Sequence, residues 1–282
     1  MKKYIVAFLL LVISFLYIFL SNETGGARVF VNLMTFAGIY GLAAIGINVH
    51  FGWTGLLNFG HAAFMGIGAY TTVLLIPHSL GREGVVISTG LPLPIAILIG
   101  IIAAALLGLL LGLPTLRLRG DYLAIVTIAA AEIFRLLVRD FEDLTGGVYG
   151  IIQFSNSLQS TRPDFITRFA ESYNISPAQF WVGLLTWISI IVVLIILSRL
   201  KKSPWGRALR AVREDEDAVR ALGKNAVLLK LQSFMLGASI GGLSGIFLVF
   251  NYGTVQASTF VPVLTFYVWA ALILGGVGSL GG

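Results

Sequence analysis

Runs of about twenty residues with almost no charge recur along this chain, and that repetition constrains its fold more than any other feature. They lie at Tyr4 to Leu20, Val29 to Val49, Leu56 to Ile76, Leu91 to Leu113, Tyr122 to Val138, Phe180 to Leu197, Ala226 to Phe250 and Val261 to Val277. At about 1.5 Å per residue such a run crosses a hydrocarbon core of roughly 30 Å, where only a helix satisfies its own backbone hydrogen bonds. The composition agrees, because only 11% of the 282 residues are charged, against roughly 25% in a soluble domain. The expected fold is an all-α integral membrane protein, a polytopic bundle of about eight transmembrane helices forming one domain over residues 1–282.

The charges orient that bundle. Lys2 and Lys3 precede the first run, and the following Ser21-Asn22-Glu23-Thr24 offers no small-residue cleavage site, so a retained signal anchor is expected. With a cytoplasmic N-terminus, eight crossings place Leu116 to Asp121 and Ser198 to Asn225 inside. Arg82 and the 139–178 loop then lie outside. About thirteen Lys and Arg fall on inside segments or their helix ends and about five outside, the asymmetry of the positive-inside rule. The same asymmetry explains the net charge of +6 without invoking nucleic acid. With no cysteine, a disulfide framework, an iron–sulfur site and a thiolate nucleophile are excluded. The outer loop, rich in acids, glycines and prolines, is expected to fold onto the outer face with a short interfacial helix over Asp164 to Ala170.

Within the spans, Gly100, Ala104, Gly108 and Gly112 recur every four residues, as do Gly237, Gly241 and Gly245, so each helix carries a smooth strip for close packing. The segment Gly52 to Tyr70 has unevenly spaced glycines and puts Asn58 and His61 three residues apart at the start of a helix. Two readings stay open there: the pair caps the helix or bonds a neighbour, or it lines a polar cavity beside a broken helix. His50 and His78 are expected at the membrane interface. Glu132 and Arg135 share one helical face, and charges at that depth pair with each other or face a wet interior.

The inside loop 203–223 is the most informative stretch. On a helical wheel Leu209, Val212, Val219 and Leu222 cluster, while Arg207, Arg210, Arg213, Asp217 and Arg220 gather opposite. Asp215 and Glu216 interrupt the pattern, which predicts two short amphipathic helices meeting near Glu214, charged enough to dock on a soluble partner.

This loop resembles the cytoplasmic coupling segment of ABC importer permeases, whose acidic residue, two small residues, three variable ones and glycine are met by Asp217-Ala218-Val219-Arg220-Ala221-Leu222-Gly223. Asp217 stands for the usual Glu, and Val219 replaces the second small residue. Four further segments, Gly55 to Tyr70, Gly120 to Thr127, Leu144-Thr145-Gly146-Gly147 and Leu274-Gly275-Gly276-Val277-Gly278-Ser279-Leu280, resemble in order and spacing the LivM-type permease subunit of branched-chain amino-acid ABC transporters.

The resemblance implies a multi-pass subunit in the plasma (inner) membrane of a prokaryote. Its implied partners are a LivH-like permease, two cytoplasmic ABC ATPases and an extracytoplasmic solute-binding protein. ATPase coupling would run through Arg207, Arg210, Arg213, Asp217, Ala218, Arg220 and Gly223, and alternating access would expose a path past Asn58, His61, Glu132 and Arg135. Members of the family continue past the Gly-Gly-x-Gly-Ser motif into a further helix, so a truncated C-terminal end is expected here. No catalysis, cofactor or metal is implied for this chain, with ATP bound by its partners. The residues agree: Gly223-Lys224 is followed by Asn225, so the phosphate-loop pattern is absent. Leucine, isoleucine and valine are the leading substrates, with urea or short amides the alternative within the family. An ion-coupled secondary transporter is the rival class, but Glu132 is the one carboxylate well inside a span, which leaves little to hold a driving ion.

Overall fold

The computed structural model describes residues 25–80, 86, 87, 90–115 and 120–279. The first run and its two lysines lie outside the described residues. Among the described residues, seven helices form the body: α1 (Gly26–Ile47), α2 (His61–Leu75), α3 (Leu93–Thr115), α4 (Gly120–Asp140), α8 (Pro177–Lys202), α11 (Ala226–Tyr252) and α12 (Pro262–Gly275). Four stretches among the described residues, Gly26–Gly52, Leu93–Pro114, Pro177–Lys202 and Ala226–Tyr252, are long and apolar enough to cross a membrane. The 21-residue α4 carries the Glu132 and Arg135 charges. The helices α2 and α12 are shorter, at 15 and 14 residues. In α2 the reason is local: the run expected to start at Leu56 begins as irregular chain and turns helical only at His61.

The central post is α11, 78% of whose apolar window is buried, against 28% to 39% in the other three long spans. Its glycines allow this, because α11 meets a neighbour on each side. A Cβ at Gly245 would lie 2.0 Å from the Met65 carbonyl oxygen of α2, and one at Gly242 would lie 2.5 Å from the Ala104 Cβ of α3. Both glycine strips therefore pack helices within the subunit, α3 through Gly108 against Ala238.

The two ends differ. At one end the loops pair into a small antiparallel sheet of β1 (His78–Leu80), β2 (Val86–Ile87) and β3 (Ile151–Ile152), extended by a bridge from Ile151 to Val255. This is a departure from a purely helical fold, and it gives loop backbone groups partners where the helices stop. The 139–178 loop contributes α5 (Glu142–Thr145), α6 (Asn156–Gln159) and α7 (Asp164–Ser172) here. In α7, Ile166 and Ala170 are buried while Phe165 and Phe169 face outward, the distribution of an interfacial helix. The opposite end carries α9 (Pro204–Glu214) and α10 (Glu216–Ala221).

Candidate functional site

The site is a break at the start of the third hydrophobic run, where residues 55–60 separate α1 and its π turn from α2. After Ile47, α1 loosens into a π turn over Asn48–Gly52, and residues 55–60 are not helical. Gly55 adopts φ +72°, a left-handed conformation that L side chains rarely adopt. Gly60 lies so close to α4 that a Cβ would sit 2.2 Å from the Thr127 carbonyl oxygen. A broken span leaves backbone groups that hydrocarbon cannot solvate, so protein groups have to take them. Thr127 Oγ1 accepts from the Phe59 N–H at 3.1 Å, Asn58 Oδ1 from Gly60 N–H at 2.9 Å, and Thr265 Oγ1 from Ala62 N–H at 3.0 Å. Trp269 Nε1 donates to the Asn58 carbonyl at 2.8 Å. Side chains of α4 and α12 thus hold the break open.

Beside it, His50 is fully buried, which corrects the interfacial position expected for it. The break folds the chain back, so a residue near the end of one run lands inside the bundle. Its Nε2 lies 2.8 Å from the Phe234 carbonyl, which can only accept, so Nε2 carries the proton. Nδ1 is then the acceptor for Asn58 Nδ2 at 3.1 Å. Asn58 thus bonds both His50 and the Gly60 backbone. His61, also fully buried, stands edge-on to His50 with ring centroids 5.8 Å apart. It is wedged between Gly46 and Gly241, and its ring approaches the Ala43 carbonyl. Neither of its nitrogens makes a hydrogen bond of good geometry among the described residues.

On α4, Arg135 grips Glu132 through both Nε, at 2.9 Å, and Nη2. Their side chains remain 22% and 37% exposed, so the pair neutralises itself and still reaches the helix surface. His78 falls in β1 at the sheet end.

At the other end, α9 begins at an N-cap Ser203 whose Oγ accepts from Gly206 N–H, with Pro204 in the first turn. Asp215 breaks the chain into two helices and caps α10, its Oδ1 accepting from the N–H groups of Asp217 and Ala218 at 2.9 and 3.0 Å. Leu209, Val212 and Val219 are buried as expected. Leu222 is not: it is 80% exposed, because the extended backbone at Asp215 resets the helical frame and α10 ends at Ala221. The arginines also differ from a free docking face. Arg207 donates to the Lys202 carbonyl and Arg210 to that of Lys201, satisfying carbonyls at the end of α8, and Arg210 also donates to the Gly206 carbonyl within α9. Arg213 Nη1 donates to the Gly52 carbonyl at 2.7 Å. Arg220 pairs with Glu216 at 2.7 Å and Asp217 at 3.5 Å, and Lys230 also pairs with Glu216. Asp217, Ala218 and Gly223 remain at the surface. Among the described residues, no group of three His, Cys, Asp or Glu could hold a metal.

Residues 29–282 match the family described as the permease component of the branched-chain amino acid transport system. The chain belongs to that permease family. It is 36% identical to the high-affinity branched-chain amino acid transport permease LivM of Escherichia coli K12, over 99% of this chain and 64% of that relative. The corresponding LivM of Salmonella typhimurium is also 36% identical, over 88% of this chain and 59% of the relative. The permease LivH of Escherichia coli K12 is 26% identical over 89% of this chain and 79% of its own length. The chain thus spans about three-fifths of the length of the two LivM relatives. No solved structure matches it. As a member of that family, the chain is a multi-pass membrane protein, with four of its described stretches long and apolar enough to cross a membrane. The residues that frame its broken span but carried no signal of their own are Asn48, Thr265 and Trp269. Thr127 closes the Gly120 to Thr127 motif, and its hydroxyl explains why a polar residue ends that motif.

Proposed function

We propose that this chain is one of two homologous permeases of an ATP-driven importer for leucine, isoleucine and valine. In this reading the sheet end faces the solute-binding protein outside the plasma membrane of a prokaryote, and the N-terminus is cytoplasmic. The helices α9 and α10 dock on a cytoplasmic ATPase, which binds the ATP. The observation that carries the reading is the α9–α10 pair itself: a capped two-helix projection opposite the sheet, presenting Asp217, Ala218 and Leu222 outward. Similarity to both LivM and LivH proteins supports pairing with a second, related permease.

Transport then proceeds by alternating access. ATP-driven movement of the ATPases shifts α9 and α10, and the broken span changes the side to which it opens. A ligand shifts such an equilibrium only by its differential affinity for the two states, so weak contacts along the path suffice. Asn58 and His61 at the break and Glu132 and Arg135 on α4 are the polar groups of that path. Affinity purification from native membranes in mild detergent tests the assembly. Recovery of an ABC ATPase and a LivH-like permease with the tagged chain is the expected result; a stable chain recovered alone would overturn the reading.

A further inference from the structure

The Gly-Gly-x-Gly-Ser motif that follows α12 has no role in the arrangement described so far, yet polar side chains from distant segments seize its backbone. Asn48 uses both atoms of its amide, Nδ2 donating to the Ser279 carbonyl at 2.6 Å and Oδ1 accepting from the Gly278 N–H at 2.8 Å. Lys201, at the end of α8, donates to the Gly278 carbonyl at 2.9 Å. Gly278 sits at φ +79° and packs directly on Gly52, where a Cβ would lie 2.9 Å from its nitrogen. Gly52 is the residue whose carbonyl receives Arg213. Helix-end carbonyls lack partners within the helix, so Arg213 takes a group that the π turn leaves over.

We infer that Asn48, Lys201 and Arg213 are positioning residues of a mechanical latch. They fasten the π turn and the Gly278–Ser279 backbone to the ends of α8 and α9, so that the broken span follows the coupling segment. The π turn suits this role because such turns are rare single-turn bulges in helices that occur frequently at functional sites. His50 lies within the turn and bonds Asn58, so a shift at Gly52 reaches the break through one side chain. This inference rests on the reading of α9 and α10 as the ATPase-docking segment, while the latch itself is a property of the chain alone.

Both parts are open to test. In the purified full chain, amide exchange over residues 48–60 is expected to rise at least ten-fold in Asn48→Ala and Arg213→Ala, with Arg213→Lys restoring much of the protection. In the assembled transporter both alanine variants are expected to lose at least ten-fold in substrate moved per ATP, with ATPase binding and hydrolysis kept in Asn48→Ala. Exchange unchanged within two-fold in both alanine variants would overturn the latch. Transport per ATP unchanged in Arg213→Ala would overturn its coupling role. Failure of the unaltered chain to bind an ATPase would count against the docking reading, and the exchange result on the chain alone would still decide the latch.

Discussion

His50 shows how one buried polar side chain fixes a membrane backbone. With Phe234 and Asn58 each taking one ring nitrogen, His50→Phe leaves the buried Asn58 amide N–H without its partner, at about 1–3 kcal/mol, while the Phe234 carbonyl keeps its bond within α11. A lower unfolding temperature in detergent is expected, and an unchanged one would show that the pair is dispensable. Close approach matters as much as bonding. A methyl at Gly237 would sit 2.2 Å from His50 Nε2, whereas one at Gly41 meets nothing within 4 Å. Gly237→Ala is therefore expected to lower stability by about 1–3 kcal/mol through overpacking, with Gly41→Ala as the neutral comparison, both followed by thermal unfolding. At this scale Asn58 and His61 stand out in the sequence as polar residues among glycines. His50 does not, because its position before the break makes it look like the end of a span. Only the reversal of the chain at residues 55–60 reveals it as their neighbour.

The α9–α10 pair and α4 place their chemistry in whole helices. Asp215 serves as C-cap of α9 and N-cap of α10, so Asp215→Ala is expected to cost about 1 kcal/mol at the start of α10. Faster proteolysis between the two helices would report it, and unchanged cleavage would contradict the capping role. In α4, the Glu132–Arg135 pair predicts a non-additive cycle. Removing Arg135 alone strands a carboxylate in an apolar helix, so the single Arg135→Ala variant should be less stable than the double Glu132→Gln, Arg135→Ala variant. Additive losses would mean that water or another group already solvates the pair. The two-helix form of 203–223 was legible because Asp215 and Glu216 interrupt an apolar repeat. The exposure of Leu222 was not, since a wheel drawn through the interruption keeps a frame that the backbone at Asp215 abandons. The arginines were legible as a charged face, but their donation to carbonyls of this chain depends on where α8 ends and where the π turn lies.

Across the molecule, a glycine-lined post holds the bundle together, and its two ends differ, with a small sheet at one and the α9–α10 pair at the other. The apolar runs and glycine strips announced the helices, and α11 became the centre because its small residues admit α1, α2 and α3 around it. The small sheet carried no sequence signal, as strands of two or three residues are too short for an alternating pattern. The broken span connects these scales: its glycines permit it, α4 and α12 hold it, and Arg213 ties it to the segment that would meet an ATPase. The most direct test is uptake of radiolabelled leucine into proteoliposomes holding this permease with its co-purified permease, ATPase and binding protein. ATP supplied on the α9–α10 side should drive leucine accumulation with no ion gradient present, and urea should not compete. Accumulation that needs an ion gradient and ignores ATP would contradict the account.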